Sequence, residues 1–142
     1  MSKHSRSTAV WKGDLKSGIG MMSADSGTFK DVAYTFATRF GDTPGTNPEE
    51  LIAAAHAACF SMAFSGELGK ANIIPESIST SATTSLDTIE GKPTVTGIHL
   101  ETSVRAGAAD KEAIMRAADM AKANCPISRL LKTNVTLDVK IA

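Results

Sequence analysis

At 142 residues and 14.8 kDa the chain fits one domain of ordinary size, residues 1–142, with no room for a cofactor domain beside a substrate domain. Hydrophobic residues at 42% and charged residues at 21% exclude wholesale disorder. Fifteen basic residues balance fifteen acidic ones and aromatics reach only 5%, so neither the basic footprint of a nucleic-acid or anionic-lipid binder nor a base-stacking platform is in place.

The opening Met1-Ser2-Lys3-His4-Ser5-Arg6 is polar, and the apolar run after it is too short for the core of a secretory leader. The longest apolar stretch, Leu51 to Phe64, contains His56 and Ser61 and is shorter than a membrane span. The expectation is a cytoplasmic protein whose two cysteines stay reduced, so that they are either inert core residues or redox chemistry.

Up to Phe40, short apolar runs at Thr8–Trp11, Ile19–Met22 and Thr28–Phe40 predict strands, with Asp25-Ser26-Gly27 as a hairpin turn. In the third run Arg39 falls at a strand end, just before the loop from Gly41 to Thr46. A helix start follows: Asn47 can cap, Pro48 suits the first helical position, and Glu49 and Glu50 favour the positive end of the dipole. The Ala-rich segment after it predicts a helix running to about Gly66 or Gly69.

From Ser77 the period changes to two. Ile78, Ala82 and Leu86, then Ile98, Leu100 and Val104 beyond a turn near Gly91-Lys92-Pro93, predict a hairpin of half-buried strands. Asp110 caps a second helix with Ile114, Ala117, Ala118 and Ala121 as its buried stripe. Cys125-Pro126-Ile127-Ser128 opens a short helix with Leu130 and Leu131 buried, and Val135, Leu137, Val139 and Ile141 mark a final strand. The result is an α+β domain around antiparallel sheet. Because the long helix is apolar nearly all round, a chain this small needs outside cover, and an obligate, intertwined homodimer is expected.

Local chemistry leaves the cysteines open. Cys59 sits among Ala, Phe and Met, about 13 Å along the helix from Glu50 and past the reach of the dipole, so inert packing is its default and burial should raise its pKa. Cys125, at the cap of a helix, has the better local setting for a thiolate, and local reasoning favours it as attacker. Arg39 reads by default as a solvated strand-end charge and Glu50 as part of a capping contact. His56, three residues before Cys59, could act as a base or as half a metal site. With only His4 and His99 elsewhere and no zinc-type spacing, no metal is expected. No Gly-x-Ser-x-Gly elbow, P-loop or GxGxxG fingerprint is present.

The run Gly45-Thr46-Asn47-Pro48-Glu49-Glu50-Leu51-Ile52, continuing through Ala54-Ala55-His56-Ala57-Ala58-Cys59-Phe60-Ser61-Met62-Ala63, strongly resembles the OsmC (osmotically inducible protein C) family of thiol peroxidases. Cys125-Pro126-Ile127-Ser128 resembles that family's second cysteine motif, and Trp11-Lys12-Gly13-Asp14 and Thr38-Arg39-Phe40 match as well. The resemblance implies an OsmC-like fold, antiparallel sheets around a long central apolar helix, in an intertwined homodimer. It implies reduction of peroxides, organic hydroperoxides above all, in oxidative or osmotic stress defence, with no cofactor. It makes Cys59 the peroxidatic thiolate and Cys125 the resolving thiol, reversing the local preference. Arg39 and Glu50 become the charge pair that activates and orients Cys59, and a dithiol such as a lipoyl group becomes the reductant. Nine residues at ~100° each set Glu50 and Cys59 on opposite helix faces, so Glu50 is expected to serve the partner chain's cysteine. The alternatives are a non-catalytic protein whose dimer cavity holds a lipid-like ligand, and a slow disulfide-based redox sensor.

Overall fold

A computed structural model describes all 142 residues. The chain divides into two compact units, Met1–Pro48 and Glu49–Ala142.

The first unit is a three-stranded antiparallel sheet of β1 (Ser7–Lys12), β2 (Ile19–Ala24) and β3 (Val32–Tyr34), followed by the one-turn helix α1 (Phe36–Phe40). On one face Trp11 and Tyr34 flank Gly20, with ring centroids 5.6 Å apart. A Cβ on Gly20 would lie 2.3 Å from the Tyr34 ring, so only glycine lets the two aromatics close over the middle strand.

The expected third strand is much shorter, and Arg39 is helical rather than at a strand end. Thr35 and Thr38 form a reciprocal capping box: the Thr38 amide donates to Thr35 Oγ1 and the Thr35 amide to Thr38 Oγ1. That pair turns the chain into α1, where Phe36 and Phe40 stack at 4.9 Å. Phe36 and Phe40 are therefore neighbours one helical turn apart.

The second unit contains α2 (Pro48–Lys70, its first residue belonging to the other unit), β4 (Ser77–Ile89), β5 (Lys92–Arg105), α3 (Lys111–Asn124), α4 (Pro126–Leu130) and β6 (Asn134–Ile141). β4 and β5 form the expected hairpin, turning through Glu90-Gly91, both at positive φ, so that Pro93 is already in β5. Ile98, Leu100, Thr102 and Val104 share the buried face of β5, and the three apolar ones pack with Phe60, Phe64 and Leu68 of α2 and the predicted stripe of α3. The opposite face, with Glu101, Asp138 and Lys140, is polar and exposed.

Two expectations fail here. β6 runs parallel to β5, not antiparallel, because α3 and α4 carry the chain back across the sheet before it pairs. Leu130, expected to be buried, is 72% exposed, and Leu131 is half-buried. α2 ends at Lys70, one residue past Gly69, close to the later of the two expected ends. At 23 residues it is long and apolar enough to cross a membrane by length and composition, although the apolar run inside it is shorter. Its buried stripe nevertheless packs into the core of this unit.

Candidate functional site

α2 buries Glu49, Ala53, His56, Phe60, Phe64 and Leu68, a stripe recurring every three or four residues. Cys59 lies at the edge of that stripe, one step from Phe60, and is half-buried. Cys125 is fully buried at the joint between α3 and α4. Its backbone amide donates to the Ala121 carbonyl, ending α3, and its own carbonyl accepts from the Arg129 amide, opening α4. The two sulfurs, 66 residues apart in sequence, stand 2.8 Å from each other, with the Cys125 thiol donating to Cys59 Sγ. No disulfide joins them in this structure.

Burial pushes the Cys59 thiol up from its ordinary range, and the Cys125 sulfur beside it adds to the rise, since two thiolates cannot sit side by side. The opposing influence is a hydrogen bond from the Ile127 backbone amide, which favours the thiolate. Pro126 has no N–H, so the first free amide of α4 belongs to Ile127, and it serves Cys59 rather than Cys125. From the sequence, the start of this helix was expected to help Cys125; the structure gives that help to the other sulfur, while Cys125 itself makes no side-chain capping bond.

One turn before Cys59, His56 is fully buried. Its Nε2 lies 2.7 Å from Ser128 Oγ, and its Nδ1 has no hydrogen-bond partner. Burial holds the imidazole below its ordinary pKa of 6.5, so it is neutral. The tautomer that donates from Nε2 to Ser128 leaves only a lone pair unsatisfied at Nδ1, whereas the other would strand a buried N–H. Ser128 was not singled out in the sequence; the cue was a buried-face histidine one turn from a cysteine.

The charged candidates divide between the units. Of the two carboxylates heading α2, Glu49 is 8% exposed and on the buried stripe, while Glu50 faces outward. Arg39 lies on α1, its guanidinium 5.0 Å from the Phe40 ring centroid. It lines a pocket of about 260 Å³ with Trp11, Leu15, Tyr34, Phe36 and Phe40. His99, Glu101 and Asp138 gather on the polar sheet face, where His99 Nε2 is 3.2 Å from Asp138 and Nδ1 bonds Thr136, so both ring nitrogens are already engaged.

An α+β fold that sets two reduced thiols in contact, one reachable and one buried, defines a two-cysteine thiol protein. A family model described as OsmC-like protein matches residues 40–140. The chain is 45% identical over 141 residues, 99% of both chains, to the peroxiredoxin OsmC of Escherichia coli strain K12 and equally to that of Shigella flexneri. Among solved structures, an OsmC-like protein of unknown function from Vibrio cholerae matches with a TM-score of 0.77 at 20% identity, over 97% of this chain and 99% of that one. The organic hydroperoxide resistance protein OhrB of Bacillus subtilis matches at 0.67 and 25% identity, over 96% and 98%. This chain belongs to the OsmC family.

Proposed function

We propose that this protein is a cysteine peroxidase that reduces organic hydroperoxides to alcohols, with Cys59 as the attacking thiolate and Cys125 as the resolving thiol. Thiol peroxidase activity is supported by full-length similarity to peroxiredoxins. The observation that carries the assignment of roles is the 2.8 Å sulfur pair with its asymmetry of exposure. A hydroperoxide can reach half-buried Cys59, whereas buried Cys125 is protected from it and waits in contact. A protein that merely held a lipid-like ligand would have no need of that contact.

The Cys59 thiolate attacks one peroxide oxygen. A sulfur–oxygen bond forms, the O–O bond breaks, and the departing alkoxide takes a proton and leaves as alcohol. The sulfenic acid is then attacked by the Cys125 sulfur: the S–S bond forms, the S–O bond breaks, and water leaves with the thiol proton. A dithiol such as a lipoyl group returns the enzyme to the reduced state.

Burial and Cys125 both oppose ionisation of Cys59, so a cation has to offset them. The family resemblance makes Arg39 that cation. A carboxylate heading α2 orients the guanidinium. The family resemblance points to Glu50; the burial of Glu49 favours Glu49 as a second reading. Glu49→Gln and Glu50→Gln compared in one assay separate the two.

The protein acts as a homodimer. Along α2, Ala54, Ala55, Ala58 and Met62 are exposed opposite the buried stripe, Met62 at 77%, and a second copy would cover them.

Turnover of cumene hydroperoxide with dihydrolipoamide against glutathione as electron donor is the decisive test. One equivalent of peroxide should consume both thiols, Cys59→Ser should abolish turnover, and Cys125→Ser should leave a sulfenic acid that dimedone traps. A wild-type protein whose thiols survive the peroxide would end this reading.

A further inference from the structure

We propose that the His56–Ser128 hydrogen bond is a strut that holds Cys125 and the Ile127 amide against the Cys59 sulfur, making His56 and Ser128 positioning residues for closure of the Cys59–Cys125 bond.

The need for a strut follows from how little else anchors α4. It has five residues, none of them buried, and its last residue, Leu130, is in solvent. Cys125 is the joint from which it leaves α3, and the Cys125 side chain caps neither helix. Apolar packing holds the two flanking residues, Cys125 and Leu131, but buries none of the residues of α4 between them. Ser128 is the residue of α4 that a buried group from another element grips, and that group is on α2, one turn from Cys59. The α2 helix thus meets the Cys125–Ser128 segment at two levels, sulfur to sulfur and imidazole to hydroxyl.

The imidazole is a costly choice for its position. An apolar side chain would fill the same interior without leaving a buried Nδ1 unsatisfied. What only a polar group offers there is the bond to Ser128.

The chemical consequence rests on the peroxidase reading above. Once Cys59 is a sulfenic acid, two reactions compete. Attack by Cys125 forms the S–S bond, breaks S–O and releases water. Attack on a second hydroperoxide instead adds another oxygen to Cys59, giving a sulfinic acid and a second molecule of alcohol. Only the first preserves the enzyme, and its rate depends on how firmly Cys125 is held at contact distance, where small displacements carry large penalties.

Four forms test this: wild type, Ser128→Ala, His56→Leu, and His56→Gln, whose amide nitrogen reaches a place similar to Nε2. The first readout avoids peroxide and is the effective concentration of Cys59 and Cys125 for each other, from the dithiothreitol equilibrium of their disulfide. It should fall about tenfold in Ser128→Ala and His56→Leu, and largely recover in His56→Gln. The second is intact mass after excess cumene hydroperoxide. Wild type and His56→Gln should lose two hydrogens as disulfide, while the other two gain two oxygens as sulfinic acid. Circular dichroism checks that each variant is folded, and Ser128→Ala, a minimal change, decides the outcome if His56→Leu does not fold. An unchanged effective concentration in folded Ser128→Ala overturns the strut. A drop there beside a wild type inert to peroxide would instead overturn the peroxidase reading and leave the strut standing.

Discussion

His56 gives the interior a pH dependence whose sign can be worked out. Its folded-state pKa is held below the ordinary 6.5 by burial, so as pH falls through that value the unfolded chain takes a proton that the folded chain refuses. The contribution is neutral above that range and destabilising below it. Thermal midpoints measured from pH 7.5 to 5 should decline more steeply for wild type than for His56→Gln, which has nothing to protonate. Parallel slopes would show that the imidazole takes its proton as readily in the folded chain as in the unfolded one. Arg39 gives the complementary prediction at Cys59. The Ile127 amide opposes burial and Cys125, and the proposed role of Arg39 is to add a cation to that side. Arg39→Ala should shift the pH midpoint of Cys59 alkylation upward, and reaction with peroxide at neutral pH should slow by about 10- to 100-fold, one to two pKa units of thiolate population. Mapping the alkylated site by mass spectrometry keeps Cys125 out of the measurement. At this scale sequence reasoning reached both cysteines but neither the Ile127 amide at Cys59 nor the His56–Ser128 bond, because an amide has no residue type to read and Ser128 has no local peculiarity.

Among the elements, α2 serves both the core and the chemistry. Phe60 and Phe64, one turn apart with ring centroids 5.7 Å from each other, are wholly buried against β5 and α3. Phe64→Ala should cost about 3–5 kcal/mol of stability, since a cavity among neighbours this well packed closes poorly. Urea unfolding with a slope unchanged from wild type would measure it, and a loss under about 1 kcal/mol would mean the core repacks. Ser61, Thr80 and Thr102 add a file of hydroxyls between α2 and the sheet, at 2.8 and 2.9 Å, which explains how Thr102 occupies a buried position between Leu100 and Val104. Periodicity was enough to locate α2, the β4–β5 hairpin and the four buried residues of α3, because each spans several turns or repeats. It failed where a local or a long-range constraint dominates. The Thr35–Thr38 capping box makes a helix of an alternating pattern, and the direction of β6 depends on a crossover that no pattern within β6 records.

In the proposed homodimer, the chemistry at each Cys59 depends on which chain supplies its carboxylate. In the homodimer proposed above, a second copy covers the exposed Ala and Met face of α2 and brings a second helix and its carboxylates with it. Glu50 and Cys59 project about half a turn apart, so a Glu50 that acts at a cysteine acts at the other chain's. Heterodimers of Cys59→Ser with Glu50→Gln distinguish the two arrangements. If the carboxylate acts across the interface, the mixed dimer pairs an intact Cys59 on one chain with an intact Glu50 on the other. It then keeps one complete site and about half of wild-type turnover, while each parental homodimer has none. If the carboxylate acts within its own chain, every remaining Cys59 sits with a glutamine and mixing restores nothing. Co-expression with two affinity tags isolates the mixed species, and light scattering confirms that it is a dimer before turnover is measured. The same experiment with Glu49→Gln shows whether the buried carboxylate, rather than the outward one, crosses between chains.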